Sequence, residues 1–569
     1  MYLSFWIAFL IIDTFSSFAD GSLDGPRVTL RDKDVPVQRT LYVGGHGKIW
    51  ALNFEKVNQL EEVNFFERVK TEPKSAATGS CVYDITTLHR VNNTCLLACG
   101  TNGNTPQCCY MGLNMKCMEN FPGTGIAPFN MTERGPSLSI EGDVYSAVNN
   151  MNHNSKAIRR IGKKTSIWPD IETKVEHQIC TADIGGPKAI LQGKWTSRLN
   201  ARLACGKRDQ GQLFDQLLDV VVLKGQNWRD SRVYGLFKNS WGMTAVCVYT
   251  MGDIDHVFQT SPFKGFSGSV PQPRPGKCVS DSTKLPNDVL KHMMDYPDME
   301  NWVLPIDASG PLMVSHSHYR RIQVDSVMGS GSHKKFNVLL LSLENGGLHK
   351  VVELDGKSFI IAEMQLFSSG THIQKMLLQP LTKRLYVSSG REVVEVDLRA
   401  CLMYGPRCED CVLAQDPYCS WNGTHCSAVS ASRKGIQDVD HGNWEVCRPA
   451  GNMEKHSGNM EMHSGSKVED VPLSSKHFLR CDTFSAHAQY SWLHNGKHTE
   501  CAPVEGSCLL VIDGMTPDQD GNYQCLASEG GYNKTLAMYT LRIRSKAPAL
   551  SHSLSALAFL LPLILVLIL

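Results

Sequence analysis

Short apolar runs separated by glycine turns recur from one end of residues 36–398 to the other. The stretch Leu385-Tyr-Val-Ser-Ser-Gly-Arg-Glu-Val-Val-Glu-Val396 reads as two strands about a tight turn, with apolar and β-branched residues flanking Ser388-Ser389-Gly390. Leu41-Tyr-Val-Gly-Gly-His-Gly-Lys-Ile-Trp-Ala-Leu52 repeats the pattern near the amino end, and Val338-Leu-Leu-Leu-Ser-Leu-Glu-Asn-Gly-Gly-Leu-His-Lys-Val-Val352 gives a third version. Further turns fall at Gly44-Gly45, Asn102-Gly103, Gly185-Gly186 and Gly346-Gly347, between runs such as Leu217–Leu223 and Thr244–Tyr249. No long amphipathic helix stands out. Strand, glycine turn, strand at both extremes of one region predicts an all-β, radially repeated structure that closes on itself. Closure is favoured because an open sheet of this size would leave unpaired edge hydrogen-bonding groups. At about 40 to 50 residues per blade the region holds seven or eight blades. Three unrelated hairpins in a β-sandwich is the competing reading.

A chain of 569 residues is too long for one core, so several domains are expected. Lys and Arg number 57 against 56 Asp and Glu, and no basic block stands out, which argues against a nucleic-acid partner. The sequence has no G-x-S-x-G, no H-E-x-x-H and no phosphate-cradling glycine loop, so it is read as a non-enzyme without catalytic, cofactor or metal residues. His316-Ser-His318 hints at a metal pair, but a strand with two outward histidines is the preferred reading.

Twenty cysteines point to an oxidising compartment. Both termini agree. Met1 to Ile12 is apolar and leads to Ser17-Phe18-Ala19, the pattern of a cleaved signal peptide over residues 1–19, although no Lys or Arg precedes the apolar core. The chain ends on Leu554-Ser-Ala-Leu-Ala-Phe-Leu-Leu-Pro-Leu-Ile-Leu-Val-Leu-Ile-Leu569. That tail is short for a spanning helix, which needs about 20 residues, and it follows a small, polar spacer. Residues 545–569 therefore read as a GPI attachment signal, with a short tail anchor as the alternative. Either places the bulk of the protein on the extracellular face of the plasma membrane. Sequons at Asn92, Asn130, Asn422 and Asn533 are candidate glycosylation sites.

The cysteines fall into groups. Cys81, Cys95, Cys99, Cys108, Cys109 and Cys117 lie close together, without the paired C-x₂-C array of a zinc site. Cys180, Cys205, Cys247 and Cys278 are spaced to join neighbouring or opposite strands. Six more, from Cys401 to Cys447, occupy under fifty residues, so cross-links must carry much of that module's stability. Cys408-Glu-Asp-Cys411 lacks the second pair or βαβ context of a zinc or redox site, and fifteen pairings of the six are open. Gly451 to Gly465 is a near-duplicated unit of Met, His, Ser and Gly, read as a solvated linker over residues 449–467 in preference to a copper or zinc site. Cys481, Trp492 and Gly521-Asn-Tyr-Gln-Cys525 then have immunoglobulin spacing, and a Cys481–Cys525 bond would stabilise by roughly 4 kcal/mol on the chain-entropy model. Cys501 and Cys508 are left over and near enough to pair with each other.

Several motifs in order carry a specific resemblance. Ala98-Cys-Gly-Thr-Asn102 with Cys108, Glu141-Gly-Asp-Val-Tyr145, Asp183-Ile-Gly-Gly186, Lys194-Trp-Thr196 and Ala201-Arg-Leu-Ala-Cys205 resemble the sema domain. So do Arg232-Val-Tyr-Gly-Leu-Phe237, Ser240-Trp241, Ala245-Val-Cys-Val-Tyr249 and Pro273-Arg-Pro-Gly-Lys-Cys278. The likeness implies a seven-bladed β-propeller over residues 36–398, with Cys180–Cys278, Cys205–Cys247, Cys81–Cys99 and Cys108–Cys117 bonded; Cys95 and Cys109 are rival partners for the last two. Cys408 to Trp421 resembles the PSI domain, placed at 399–448, and implies Cys401–Cys419, Cys408–Cys447 and Cys411–Cys426. Residues 468–544 resemble the immunoglobulin module of semaphorins.

Sema, PSI, one immunoglobulin domain and a GPI-type tail together resemble the class-seven, GPI-anchored branch of the semaphorin family. The resemblance implies a homodimeric cell-surface ligand of C-class plexins, and of β1 integrins, acting in axon guidance, cell migration and immune regulation. A dimer brings two receptor chains together, and multivalency at a membrane raises apparent affinity. A structural adhesion glycoprotein is the alternative. Two departures stand out. Where the integrin-binding member carries Arg-Gly-Asp after the cysteine equivalent to Cys180, this chain has Thr181-Ala-Asp183. Asp183 keeps a carboxylate for a metal-facing integrin contact, but the missing guanidinium puts integrin engagement in doubt. Only Trp168 to Ile179 separates Arg160-Ile161 from Cys180, so about a blade's worth of strand could be absent and the ring incomplete.

Overall fold

The computed structural model describes residues 6–9, 27–30, 40–45, 47–53, 60–64, 84–92, 94–102, 105–129, 137–140, 143–150, 153–161, 176–207, 212–308, 310–330, 334–429, 435–448, 466–483, 485–504 and 506–544. They fall into two compact units. One takes the chain up to Met403 with Asp416–Asn422 and Cys426–Gly435; the other takes Tyr404–Gln415, Gly423–His425 and the chain from Ile436 on.

In the first unit, seven antiparallel sheets of three or four strands follow one another along the chain among the described residues. They begin with Arg27–Leu30, Thr40–Gly44, Lys48–Asn53 and Leu60–Asn64, and end with Lys375–Gln379, Arg384–Ser388 and Val393–Asp397. The sheets are the blades of a β-propeller. The fourth is the shortest: Glu176–Cys180 pairs with Leu199–Ala201, and its third strand is Trp6–Phe9, drawn from the segment expected as a leader.

Period-two alternation explains why the sheets form a ring. In the fifth blade, Val233 and Phe237 of Arg232–Lys238, with Ala245, Cys247 and Tyr249 of Thr244–Thr250, enter one cluster with Leu199 and Ala201 of the fourth. The intervening Tyr234, Leu236, Val246 and Val248 enter another, with Ile322, Leu339 and Leu341 of the sixth. Each middle strand is apolar on both faces because each face meets a different neighbour.

The first blade does the same. Tyr42, Ile49 and Ala51 pack with Ile85, Leu88 and Leu96 of the second, while Leu41 and Val43 pack with Tyr386 of the last. The Leu41 and Leu385 hairpins therefore lie in separate sheets that share one buried cluster, and the first and last blades close the ring. Gly346 turns the third hairpin at φ 85°, where an added Cβ would meet Thr371 O at 2.8 Å. Between Thr244–Thr250 and Met313–Ser315 the chain leaves the blade to form two short helices, Met251–Thr260 and Asn287–Asp295. Thr250 Oγ1 caps the first by accepting from Asp253 N at 3.0 Å.

A buried charge cluster ties the sixth and seventh blades to the cysteine-rich segment of the same unit. Lys350 Nζ donates to Asp416 Oδ2 at 2.6 Å and to Leu398 O at 2.7 Å. Tyr418 OH and Lys383 Nζ both donate to Asp325 Oδ2, each at 2.7 Å. Burial pulls the Lys350 ammonium below its usual pKa, with Asp416 opposing the shift.

In the second unit, a five-stranded sheet runs in the order Lys467–Pro472, Tyr532–Arg544, Gly521–Glu529, Gln489–His494, Lys497–Cys501, beside the pair His477–Asp482 and Ser507–Ile512. Trp492 is 1% exposed in its core. Tyr523 OH donates to Gln519 O at 2.8 Å, the corner that its place two residues before Cys525 suggests. The helix Cys408–Leu413 docks on this sandwich through Asp410, which takes both Lys534 Nζ contacts, at 2.8 and 3.0 Å.

Removing one partner of a fully buried ion pair leaves an uncompensated charge. Asp416→Ala is expected to cost about 3–5 kcal/mol in denaturant unfolding, and the double change Lys350→Met with Asp416→Leu to recover most of it. A loss below about 1 kcal/mol for the single variant would show that Lys350 finds water.

Candidate functional site

The disulfides set the frame that any docking surface stands on. Cys180–Cys278 ties the fourth blade to the helical excursion, and Cys205–Cys247 ties the segment after the fourth blade to the fifth. The first cysteine group departs from expectation. Cys99 bonds Cys108, not Cys81, because the two are register partners on adjacent strands with Cα atoms 4.0 Å apart. Cys117 bonds Cys109, not Cys108. Neighbouring residues on a strand face opposite ways. Cys108 joins Cys99, Leu97 and Val144 in one cluster, while Cys109 joins Leu96 and Met111 in another, where Cys117 packs. Cys95 is free and buried, and Cys81 lies outside the described residues. Further along, Cys401–Cys419, Cys408–Cys447, Cys481–Cys525 and Cys501–Cys508 are bonded, and Cys411 and Cys426 are each in a disulfide. Cys408 and Cys411 are thus no free dithiol.

Asp183 is not a surface carboxylate. It is 2% exposed. Its Oδ1 accepts from Gly185 N at 2.8 Å; its Oδ2 accepts from Thr196 N, Ser197 N and Ser197 Oγ at 2.7–2.9 Å. Ser197 Oγ also accepts from Cys180 N at 3.0 Å. Four donors occupy the carboxylate, so it latches the loop after Cys180 to the Trp195–Ser197 segment and cannot reach a receptor's metal. The expected integrin contact at this position is corrected accordingly.

The other candidates are spread over the surface. Asn92, Asn422 and Asn533 are exposed, and Asn92 Oδ1 accepts from Thr94 N and Oγ1 at 2.8 and 3.0 Å; Asn130 lies outside the described residues. His316 and His318 fall in the turn between Met313–Ser315 and Tyr319–Met328, not on a strand. His318 Nδ1 lies 3.1 Å from Glu344, whose carboxyl is held below its usual range by hydrogen bonding to Arg320. Among the described residues the single group of three metal-type side chains is Cys481, Cys508 and Cys525, all in disulfides. The linker's Met and His residues and the tail at 545–569 lie outside the described residues. Among those described, no helix is long and apolar enough to cross a membrane.

Trp241 belongs to a motif legible in the sequence, but its exposure is not legible there. It is 76% exposed at a turn where Trp241 N and Met243 N donate to Asn239 Oδ1 at 3.1 and 2.9 Å. The turn leaves a large indole standing in water. Only its place between two apolar strands could have signalled this.

The architecture has close counterparts among known proteins. The Sema domain family model matches residues 217–380, and the semaphorin-3/4/7A immunoglobulin-like domain model matches residues 465–555. Semaphorin-7A of Homo sapiens is 32% identical over 558 residues, spanning 87% of this chain and 81% of the relative. The chain belongs to the semaphorin family. Semaphorin-7A of Mus musculus is 30% identical, spanning 90% of this semaphorin and 84% of the relative. Among solved structures, Drosophila Semaphorin 2a matches with a TM-score of 0.69 at 18% identity, covering 92% of this chain and 97% of its own. A structure titled Drosophila Plexin A in complex with Semaphorin 1b matches with a TM-score of 0.60 at 22% identity, covering 75% and 97%. At these identities the solved structures speak for the fold.

Two outcomes follow for this semaphorin. Asp183→Ala strands three backbone amides, at about 1–3 kcal/mol each, so it is expected to lower the denaturant midpoint and secreted yield. Lost receptor binding at unchanged stability would instead restore a surface role. Acid sensitivity is the second. His89 is brought down to about 4 by burial and by Lys375, and burial also lowers His292 and His349. The unfolded chain takes up these protons near pH 6.5, before the folded protein does, so stability falls as pH drops below about 6.5 toward 4. Thermal unfolding across that range should show it, and His89→Gln should flatten the slope.

Proposed function

We propose that this semaphorin is a cell-surface ligand for a C-class plexin, held on the extracellular face of the plasma membrane by a GPI lipid and acting as a homodimer in axon guidance, cell migration and immune regulation. The observation that carries the reading is the identity to Semaphorin-7A along more than four-fifths of both chains, spanning propeller, cysteine-rich segment and immunoglobulin module alike. The solved complex titled Drosophila Plexin A in complex with Semaphorin 1b supports a plexin as the receptor. The apolar end of the sequence after a small-residue spacer supports the lipid anchor. Action is by binding without chemistry: two ligand chains gather two receptor chains, and confinement at a membrane supplies effective concentration. β1 integrin is left out of the proposal, because Arg-Gly-Asp is absent and Asp183 is buried. Candidate glycans at Asn92, Asn422 and Asn533 stand on exposed side chains that leave the blades' apolar clusters untouched.

The ectodomain, produced as a soluble dimer, should stain cells expressing a C-class plexin and leave parental cells dark. Trp241→Ala should reduce that staining about tenfold or more if the receptor covers this exposed indole. Equal staining of both cell lines would favour the adhesion glycoprotein. Release of the full chain from cells by phosphatidylinositol-specific phospholipase tests the anchor.

A further inference from the structure

The immunoglobulin module holds two disulfides whose sulfurs crowd one another. Cys481–Cys525 crosses from the strand His477–Asp482 to Gly521–Glu529 and so joins the two sheets. Cys501–Cys508 runs from the end of the edge strand Lys497–Cys501 to Ser507–Ile512. The Sγ atoms of Cys481, Cys508 and Cys525 all lie within 4.8 Å of one another. Cys508 is also the direct register partner of Cys481 on antiparallel strands, the same relation in which Cys99 and Cys108 are bonded elsewhere in the chain. Cys501 is partly exposed, whereas Cys508 and Cys525 are fully buried. One sulfur of the pair thus faces reagents in solution, and the other faces the core disulfide.

We propose that Cys501–Cys508 is a site of reductive modification that relays exchange to Cys481–Cys525. An external dithiol attacks Cys501 Sγ, and the electron pair of the broken bond leaves on Cys508. The reductant's second thiol closes its own disulfide and returns Cys501 as a thiol. Cys508 thiolate then attacks Cys481 Sγ; the Cys481–Cys525 bond breaks, and Cys525 leaves as a thiolate and takes up a proton. Two electrons and two protons pass from the dithiol to the protein, which keeps one disulfide, Cys481–Cys508, and gains thiols at Cys501 and Cys525. The product bridge lies within the two-stranded pair, so both bonds that joined the two sheets are gone while one cross-link remains. Reduction at an exposed edge is thereby converted into loosening of the core.

The test uses the full-length glycoprotein under native conditions, treated with limiting dithiothreitol, trapped by alkylation and mapped by mass spectrometry of its peptides. The expected result is a Cys481–Cys508 cross-linked peptide, rising as the Cys481–Cys525 peptide falls, with alkylated Cys501 and Cys525. Alkylation of Cys501 and Cys508 with Cys481–Cys525 intact overturns the proposal, as does simultaneous opening of all four cysteines. The Cys501→Ser variant starts with Cys508 unpaired and needs no reductant. It should carry label on both Cys508 and Cys525, and label on Cys508 alone counts against the relay.

Discussion

A blade whose middle strands are apolar on both faces cannot be stable alone, and this constraint organises the first unit. Val233 and Phe237 point one way and Tyr234 and Leu236 the other, so the fifth sheet needs the fourth on one side and the sixth on the other. Burying a side chain of this size is worth about 1.5–3 kcal/mol, and a blade with one unpartnered face would leave several exposed. A row of such sheets ends only when its first face meets its last. Leu41 and Val43 meet Tyr386 there, with Trp50, Leu377 and Val393 packed around them. Closure also removes the unpartnered outer faces a row would present to other chains.

The apolar clusters do not, by themselves, fix how the cysteine-rich segment seats on the ring. Polar contacts do. Asp416 reaches Lys350, Tyr418 reaches Asp325, and Lys383 shares that carboxylate. Desolvating such charges offsets much of their attraction, so the cluster contributes less to net stability than to position. Any displaced seating would strand two ammonium groups and two carboxylates out of water. In the second unit, Asp410 and Lys534 impose the same condition on the helix Cys408–Leu413.

Much of this was legible where one local pattern decides the outcome. The Leu41, Val338 and Leu385 hairpins are announced by period-two apolarity around glycine, and Trp492, Tyr523 and Cys525 by spacing alone. What depends on register or on a third element was not. Cys108 and Cys109 are adjacent in sequence, and which one meets Cys117 turns on which face each presents once the strand is placed. Asp183 looked like half of an adhesion motif because the sequence shows its neighbours at 181 and 182 but not Thr196 and Ser197, which occupy it. The helix Met251–Thr260 escaped notice because ten residues give a weak period. The Lys350 cluster joins residues up to 93 apart and has no signature along the chain.

The fourth blade shows how far a propeller can be trimmed. Its own segment supplies two paired strands, and Trp6–Phe9 fills the place beside Glu176–Cys180. Removal of a leader over residues 1–19 would leave that side of the blade as an edge. The edge is short, which blunts further strand pairing. Its position does not depend on the added strand. Cys180 is bonded to Cys278, its amide donates to Ser197 Oγ, and Arg160 Nη1 from the third blade donates to Thr181 O at 2.7 Å. With Asp183 saturated just beyond, covalent and polar latches do at this blade what apolar burial does at the others, so losing a strand here need not open the ring.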